Sequence, residues 1–115
     1  MLRDYIDVYI PGTINGNQSI NQDTINKVVS WAAKKLSKNF GGCTGYNTKE
    51  LTAQGFYVSD THGLIVESIF IIRAYHDRDP QAAWNIGVKI AQVIKRYLNQ
   101  ESVTIGSNQD GIDFI

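Results

Sequence analysis

The stretch GLIVESIFIIRAYHD, residues 63–77, decides how the rest of the chain is read. It alternates along its length, as a strand does. Leu64, Val66, Ser68, Phe70, Ile72 and Ala74 share one face. Ile65, Glu67, Ile69, Ile71, Arg73 and Tyr75 share the other. The first set is nearly all apolar and is expected to lie under helices. The second mixes isoleucines with a charge pair and a tyrosine. Just before it, TAQGFYVSD (52–60) reads as a second strand, and SDTHG between the two carries hairpin-turn residues, His62 among them.

Working outward, YIDVYI (5–10) alternates strictly: Ile6, Val8 and Ile10 point one way, Tyr5, Asp7 and Tyr9 the other. PGTINGNQS (11–19) is a loop. In the helix that follows, Ile25, Val28, Val29, Ala32, Leu36 and Phe40 form an apolar stripe; Ser19 with Gln22, Asn21 or Asp23 are its candidate caps. DPQAAWNIGVKIAQVIKRYLNQ (79–100) is a second helix, with Asp79 as N-cap, Pro80 at its first position and Gly87 permitting close packing. Its expected core stripe is Ala83, Ile86, Ile90, Val93 and Tyr97. SVTIGS (102–107) is a short strand, and GIDFI (111–115) a candidate for one more. Strand, helix, strand, strand, helix, strand predicts an α+β fold. Its form is a two-layer ferredoxin-like βαββαβ sandwich, one domain over residues 1–115, with both helices on one face of an antiparallel sheet.

NFGGCTGYN (39–47) holds the only cysteine beside a glycine pair. Those glycines follow a helix, where glycine supplies the left-handed stop. A phosphate loop needs the opposite, N-terminal end. The carbonyl end of a helix also disfavours a thiolate. Cys43 is therefore expected to be a small buried strand residue.

Composition narrows the partners. Eleven basic residues balance eleven acidic ones, so no general attraction to a nucleic-acid polymer is expected. One cysteine cannot make an internal disulfide. No apolar run approaches the ~20 residues of a membrane span. These features predict a cytoplasmic protein that does not enter membranes.

Two helices cover one side of such a sheet. The other carries Tyr5, Asp7, Tyr9, Ile69, Ile71, Arg73 and Tyr75, with Tyr57 if its strand has that register. A large apolar patch usually marks an interface, so a homo-oligomer, dimer or higher, is expected. The seam also suits a ligand: tyrosines stack on planar rings, and Arg73 can hold an anion bidentately. A second candidate surface is the helix face of Lys27, Trp31, Lys34 and Lys38, with Lys35 close by. There an indole flanked by ammonium groups suits a nucleotide, unless the lysine stems simply cover the ring. Lys95 and Arg96 add charge on the second helix, and Trp84 with Val88 makes another apolar edge. His76 ends the long strand beside Asp77 and Asp79, and a Cys43–His76 pair lacks an orienting group. No GxSxG, GxGxxG, P-loop or metal-ligand spacing occurs, so no cofactor or metal is implied.

The segments FGGCT, GFYV, LIVESIFII and LNQESV, within residues 36–105, together resemble small proteins of phage and prophage origin with this βαββαβ layout, and the chain resembles the Thoeris anti-defence proteins. The resemblance implies a non-enzymatic, oligomeric sponge for cyclic ADP-ribose signals or cyclic oligonucleotides. No ligand residue is carried over from it. The expected function is thus sequestration of a small cyclic nucleotide, with Tyr9, Arg73, Tyr75, His76, Lys27, Trp31, Lys34 and Arg96 as ligand-binding candidates and no catalytic residue. The alternatives are a small dimeric ferredoxin-like enzyme using His76, Asp77 or Arg73, and a protein-interaction or inhibitor module using the Trp84 edge.

Overall fold

The computed structural model describes residues 1–14, 18–46, 54–60 and 63–115. The elements are β1 (Asp4–Pro11), β2 (Thr13–Ile14), β3 (Gln18–Ser19), α1 (Gln22–Phe40), β4 (Thr44–Tyr46), β5 (Gln54–Ser59), β6 (Gly63–His76), α2 (Pro80–Tyr97), β7 (Thr104–Ser107) and β8 (Gly111–Phe114). The main sheet runs β4-β6-β1-β7-β8, with β5 also on β6; β2 and β3 form a separate ribbon. All pairs are antiparallel. The architecture is the expected α+β sandwich of ferredoxin-like layout, extended by β8.

Both helix starts, and the end of α1, have a local cause. Asn21 caps α1, its side-chain oxygen accepting from the Asp23 N–H at 2.8 Å. Gly41 closes it at φ 88°, donating its N–H to the Ser37 carbonyl at 2.8 Å. Asp79 caps α2, accepting from the Ala82 N–H at 3.0 Å, with Pro80 at the first helical position.

The core lies between the layers. Ile6, Val8 and Ile10 of β1 meet Ile72 and Ala74 of β6, Ile105 of β7, Val28, Ala32 and Leu36 of α1, and Ala83, Ile90 and Ile94 of α2. α1 lies over β6 and α2 over β1 and β7, with few contacts between the helices. A Cβ on Gly87 would stand 3.2 Å from Ile6 Cγ2, so glycine there lets α2 sit close to the sheet.

Two expectations about faces are corrected. The core stripe of α2 is Ala83, Gly87, Ile90, Ala91 and Ile94. Val93 and Tyr97 are turned outward, 46% and 61% exposed. Both stripes have helical spacing, and packing on β1 and β7 selects the first. Leu64, expected beneath a helix, is 66% exposed. The strand has 14 residues and spans about 42 Å at ~3.2 Å per step, the full length of the molecule. The 19 and 18 residues of the helices reach only about 27–29 Å at 1.5 Å each. The helix layer is too short to roof the whole strand.

Cys43 precedes β4 rather than lying in a strand, and it is half-buried. Its thiol donates to the Ala33 carbonyl at 3.6 Å and lies 3.4 Å from the Ser37 hydroxyl. His62 and the side chain of Tyr57 lie outside the described residues.

Ile72 and Leu64 share an alternation face, but only Ile72 is roofed. Ile72→Ala is expected to cost about 2–5 kcal/mol in urea unfolding. Leu64→Ala is expected to change stability by less than about 0.5 kcal/mol. Equal losses would show that the strand end is covered after all.

Candidate functional site

The uncovered face is built by register. β1 and β6 pair so that Tyr5 lies opposite Tyr75, Asp7 opposite Arg73 and Tyr9 opposite Ile71. β4 sets Tyr46 opposite Ile71. On the other side Gly106 of β7 lies opposite Asp7, with Ile112 of β8 beyond it. Cross-strand partners share a face, so these residues form one surface.

At its centre is an ion pair. The Arg73 Nε and Nη2 donate to the two oxygens of Asp7, each at 2.8 Å. Asp7 is only 4% exposed. A carboxylate this buried is tolerated because the guanidinium satisfies both oxygens. The hydrogen bond to Asp7 raises the Arg73 pKa, so the guanidinium stays charged. The guanidinium stacks on Tyr5, 3.8 Å from the ring centroid, with Tyr46 at 6.0 Å. Tyr75 meets Tyr5 edge-on at 5.7 Å. Burial, and then the Asp7 charge, raise the Tyr9 pKa, which keeps its hydroxyl protonated. Tyr46, Tyr75, Ile112 and Phe114 are exposed around this centre.

The eight residues singled out from the sequence fall in separate places. Tyr9, Arg73 and Tyr75 come together on this face. The edge of Arg73 expected to grip an external anion bidentately is instead occupied by Asp7. His76 lies on the opposite, core face, 4% exposed, with its ring 5.4 Å from Phe40 and its Nδ1 accepting from the Arg78 N–H at 3.2 Å. It lies three positions after Arg73, an odd offset, so alternation puts the two on opposite faces. A joint Arg73–His76 site is thereby removed. Lys27 and Trp31 line a groove on the helix side with Val93 and Tyr97. Trp31 is half-buried there rather than projecting outward, with the Lys35 ammonium 6.0 Å from its ring. Lys34 and Arg96 are exposed and line neither section of that groove. Tyr46, Ile112 and Phe114 were missed. Their short strands alternate, but only the pairing shows which face they join.

Among the described residues no three His, Cys, Asp or Glu side chains converge as a metal site, and no helix is long and apolar enough to cross a membrane.

Arg73→Met strands a buried carboxylate, whereas Asp7→Leu leaves a guanidinium with 27% of its side chain already in reach of water. Arg73→Met is expected to cost about 3–5 kcal/mol. Asp7→Leu should cost less, and the double variant should recover part of the loss in chemical denaturation. The reverse ranking would mean that Arg73, not Asp7, is the partner that cannot be left alone.

No family model matches the chain, and no curated protein matches it in sequence. Solved structures match it in fold. A phage SAM lyase in its apo state superposes with a TM-score of 0.69 at 15% identity, covering 97% of this chain and 87% of that one. A phage SAM lyase in complex with S-methyl-5'-thioadenosine gives 0.67 at 12% identity, covering 97% and 88%. Both are structures of an enzyme. They overturn the expectation of a non-catalytic cyclic-nucleotide sponge and favour the small-enzyme alternative. Of the resemblance to phage proteins, the phage origin agrees with these matches; they give no link to the Thoeris proteins.

Proposed function

We propose that this chain is a lyase that cleaves S-adenosylmethionine (SAM) and releases S-methyl-5'-thioadenosine, with the tyrosine-bearing sheet face as its substrate platform. The observation that carries the reading is the fold likeness, over 97% of the chain, to phage SAM lyase structures, one of them holding S-methyl-5'-thioadenosine.

The chemistry suits a surface with few catalytic parts. The sulfonium of SAM is already an activated leaving group. When its bond to the γ-carbon of the amino-acid chain breaks, sulfur keeps the electron pair and leaves as the neutral thioether. The carboxylate of the same substrate forms the new bond to that carbon and closes a lactone. Charge and atoms balance without water and without a proton from the protein. Asp7, the carboxylate paired at the centre of the face, is tied to Arg73 and so is poorly placed to act as a base. The protein's work is then to hold the substrate bent, with the carboxylate in line behind the reacting carbon, and to keep water away.

Tyr9, Tyr46 and Tyr75 offer ring faces for adenine and for the sulfonium cation. The neutralised Arg73–Asp7 pair avoids repelling that cation. An open sheet face does not exclude water alone, and the exposed Tyr46, Tyr75, Ile112 and Phe114 suit closure by a second copy of the chain.

Purified protein incubated with SAM is expected to release S-methyl-5'-thioadenosine well above the spontaneous rate, read by liquid chromatography and mass spectrometry. Intact SAM beside a chain shown to be folded by circular dichroism overturns the proposal. Losing one stacked ring removes about 1–3 kcal/mol, so Tyr75→Ala should lower kcat/KM about 5- to 150-fold. Sedimentation should find more than one copy, and Phe114→Glu should shift it toward the single chain.

A further inference from the structure

The zero net charge conceals a strong asymmetry. Seven of the eleven lysines and arginines lie on α1 and α2, against one of the eleven acids, Asp23. α2 carries no acidic residue at all. The helix layer is basic, and it is the layer turned away from the sheet face described above.

Between the two helices runs a groove in two sections. One, of about 260 Å³, is lined by Lys27, Trp31, Val93 and Tyr97. The other, of about 320 Å³, continues past Trp31 and Val93 toward Ile86, with Lys35 and Lys89 at its sides. Its floor is apolar, and Val93 and Tyr97 remain exposed within it. From Lys27 to Asn39 the groove follows α1 for about 18 Å at 1.5 Å per residue, which is about three helical turns.

We infer that this groove docks an acidic amphipathic helix of a partner protein, about three turns long. Its apolar side chains enter along Trp31, Val93 and Tyr97, and its carboxylates meet Lys27, Lys35 and Lys89. The length matches a helix laid along the groove, the floor matches an apolar stripe spaced i, i+3, i+4 and i+7, and the rim supplies the opposite charge. A nucleic acid is a poorer match. Its phosphates would find the lysines, but Trp31 is half-buried, and Tyr97 alone among the groove's rings is exposed, so its bases would have one stacking platform rather than a run of them. The inference uses residues that the proposed lyase chemistry does not, so either can fail without the other.

The test uses the full chain and a fluorescein-labelled synthetic peptide of about fourteen residues. The peptide carries leucines at i, i+3, i+4, i+7 and i+11, flanking glutamates and alanine elsewhere. Saturable binding is expected that weakens as salt is raised. Val93→Glu, on an exposed position, should weaken it at least tenfold while leaving SAM cleavage unchanged. The charge-reversed variant Lys27→Glu/Lys89→Glu should lose the glutamate peptide and gain its lysine counterpart. Three results overturn the inference: no binding of the glutamate peptide, binding indifferent to both variants, or displacement of the peptide by single-stranded DNA or phosphatidylserine vesicles at lower concentration than by unlabelled peptide.

Discussion

The pairing of β1 with β6 that sets Asp7 opposite Arg73 is the constraint on which the rest of the molecule depends. A slip of one residue would turn every β1 side chain to the other face of the sheet. The Asp7 carboxylate would then enter the apolar layer with Ile72 and Ala74, and Ile6, Val8 and Ile10 would face outward. Burying an unpaired carboxylate costs several kcal/mol, and exposing three core aliphatics forfeits about 1.5–3 kcal/mol each. The ion pair is therefore less a source of net stability than a register lock. Its partners are correct only in one alignment, and that alignment also gathers the tyrosines on a single surface.

That surface explains why a chain with no familiar catalytic motif suits the lyase reading. The scarcity of acids, bases and nucleophiles weighs against an enzyme only when the reaction needs them. A substrate that carries its own leaving group and its own nucleophile asks for positioning, enclosure and a non-repelling environment. The rings stacked about Arg73 are held by that guanidinium and by one another, and such held geometry is what positioning requires. His76 lies on the other side of the strand, buried against Phe40 and apart from that surface.

The two sides of the sandwich differ in charge as well as in shape. The sheet face is neutralised at its centre by an internal pair, and the helix layer concentrates basic residues about an apolar trough. Because α1 and α2 rest on different strands and barely touch each other, the trough between them stays open. Had the helices packed tightly, Val93 and Tyr97 would have closed it and the expected core stripe would have held.

Much of this was legible in the residues alone. The alternation of β1 and β6 separated core from uncovered side chains. Gly41, Asp79 and Pro80 marked helix ends, Asn21 stood among three candidate caps for the start of α1, and the glycine pair after α1 argued for a helix stop over a phosphate loop. These are local properties, set within a few residues of backbone. Tertiary structure alone decided the rest. Arg73 is spent on Asp7, Tyr46 and Phe114 join the tyrosine face, Trp31 turns into the groove, and Leu64 lies beyond the roof. Each depends on which strand lies beside which, and how far a helix reaches along it, and such relations between distant segments leave no periodic trace in the chain.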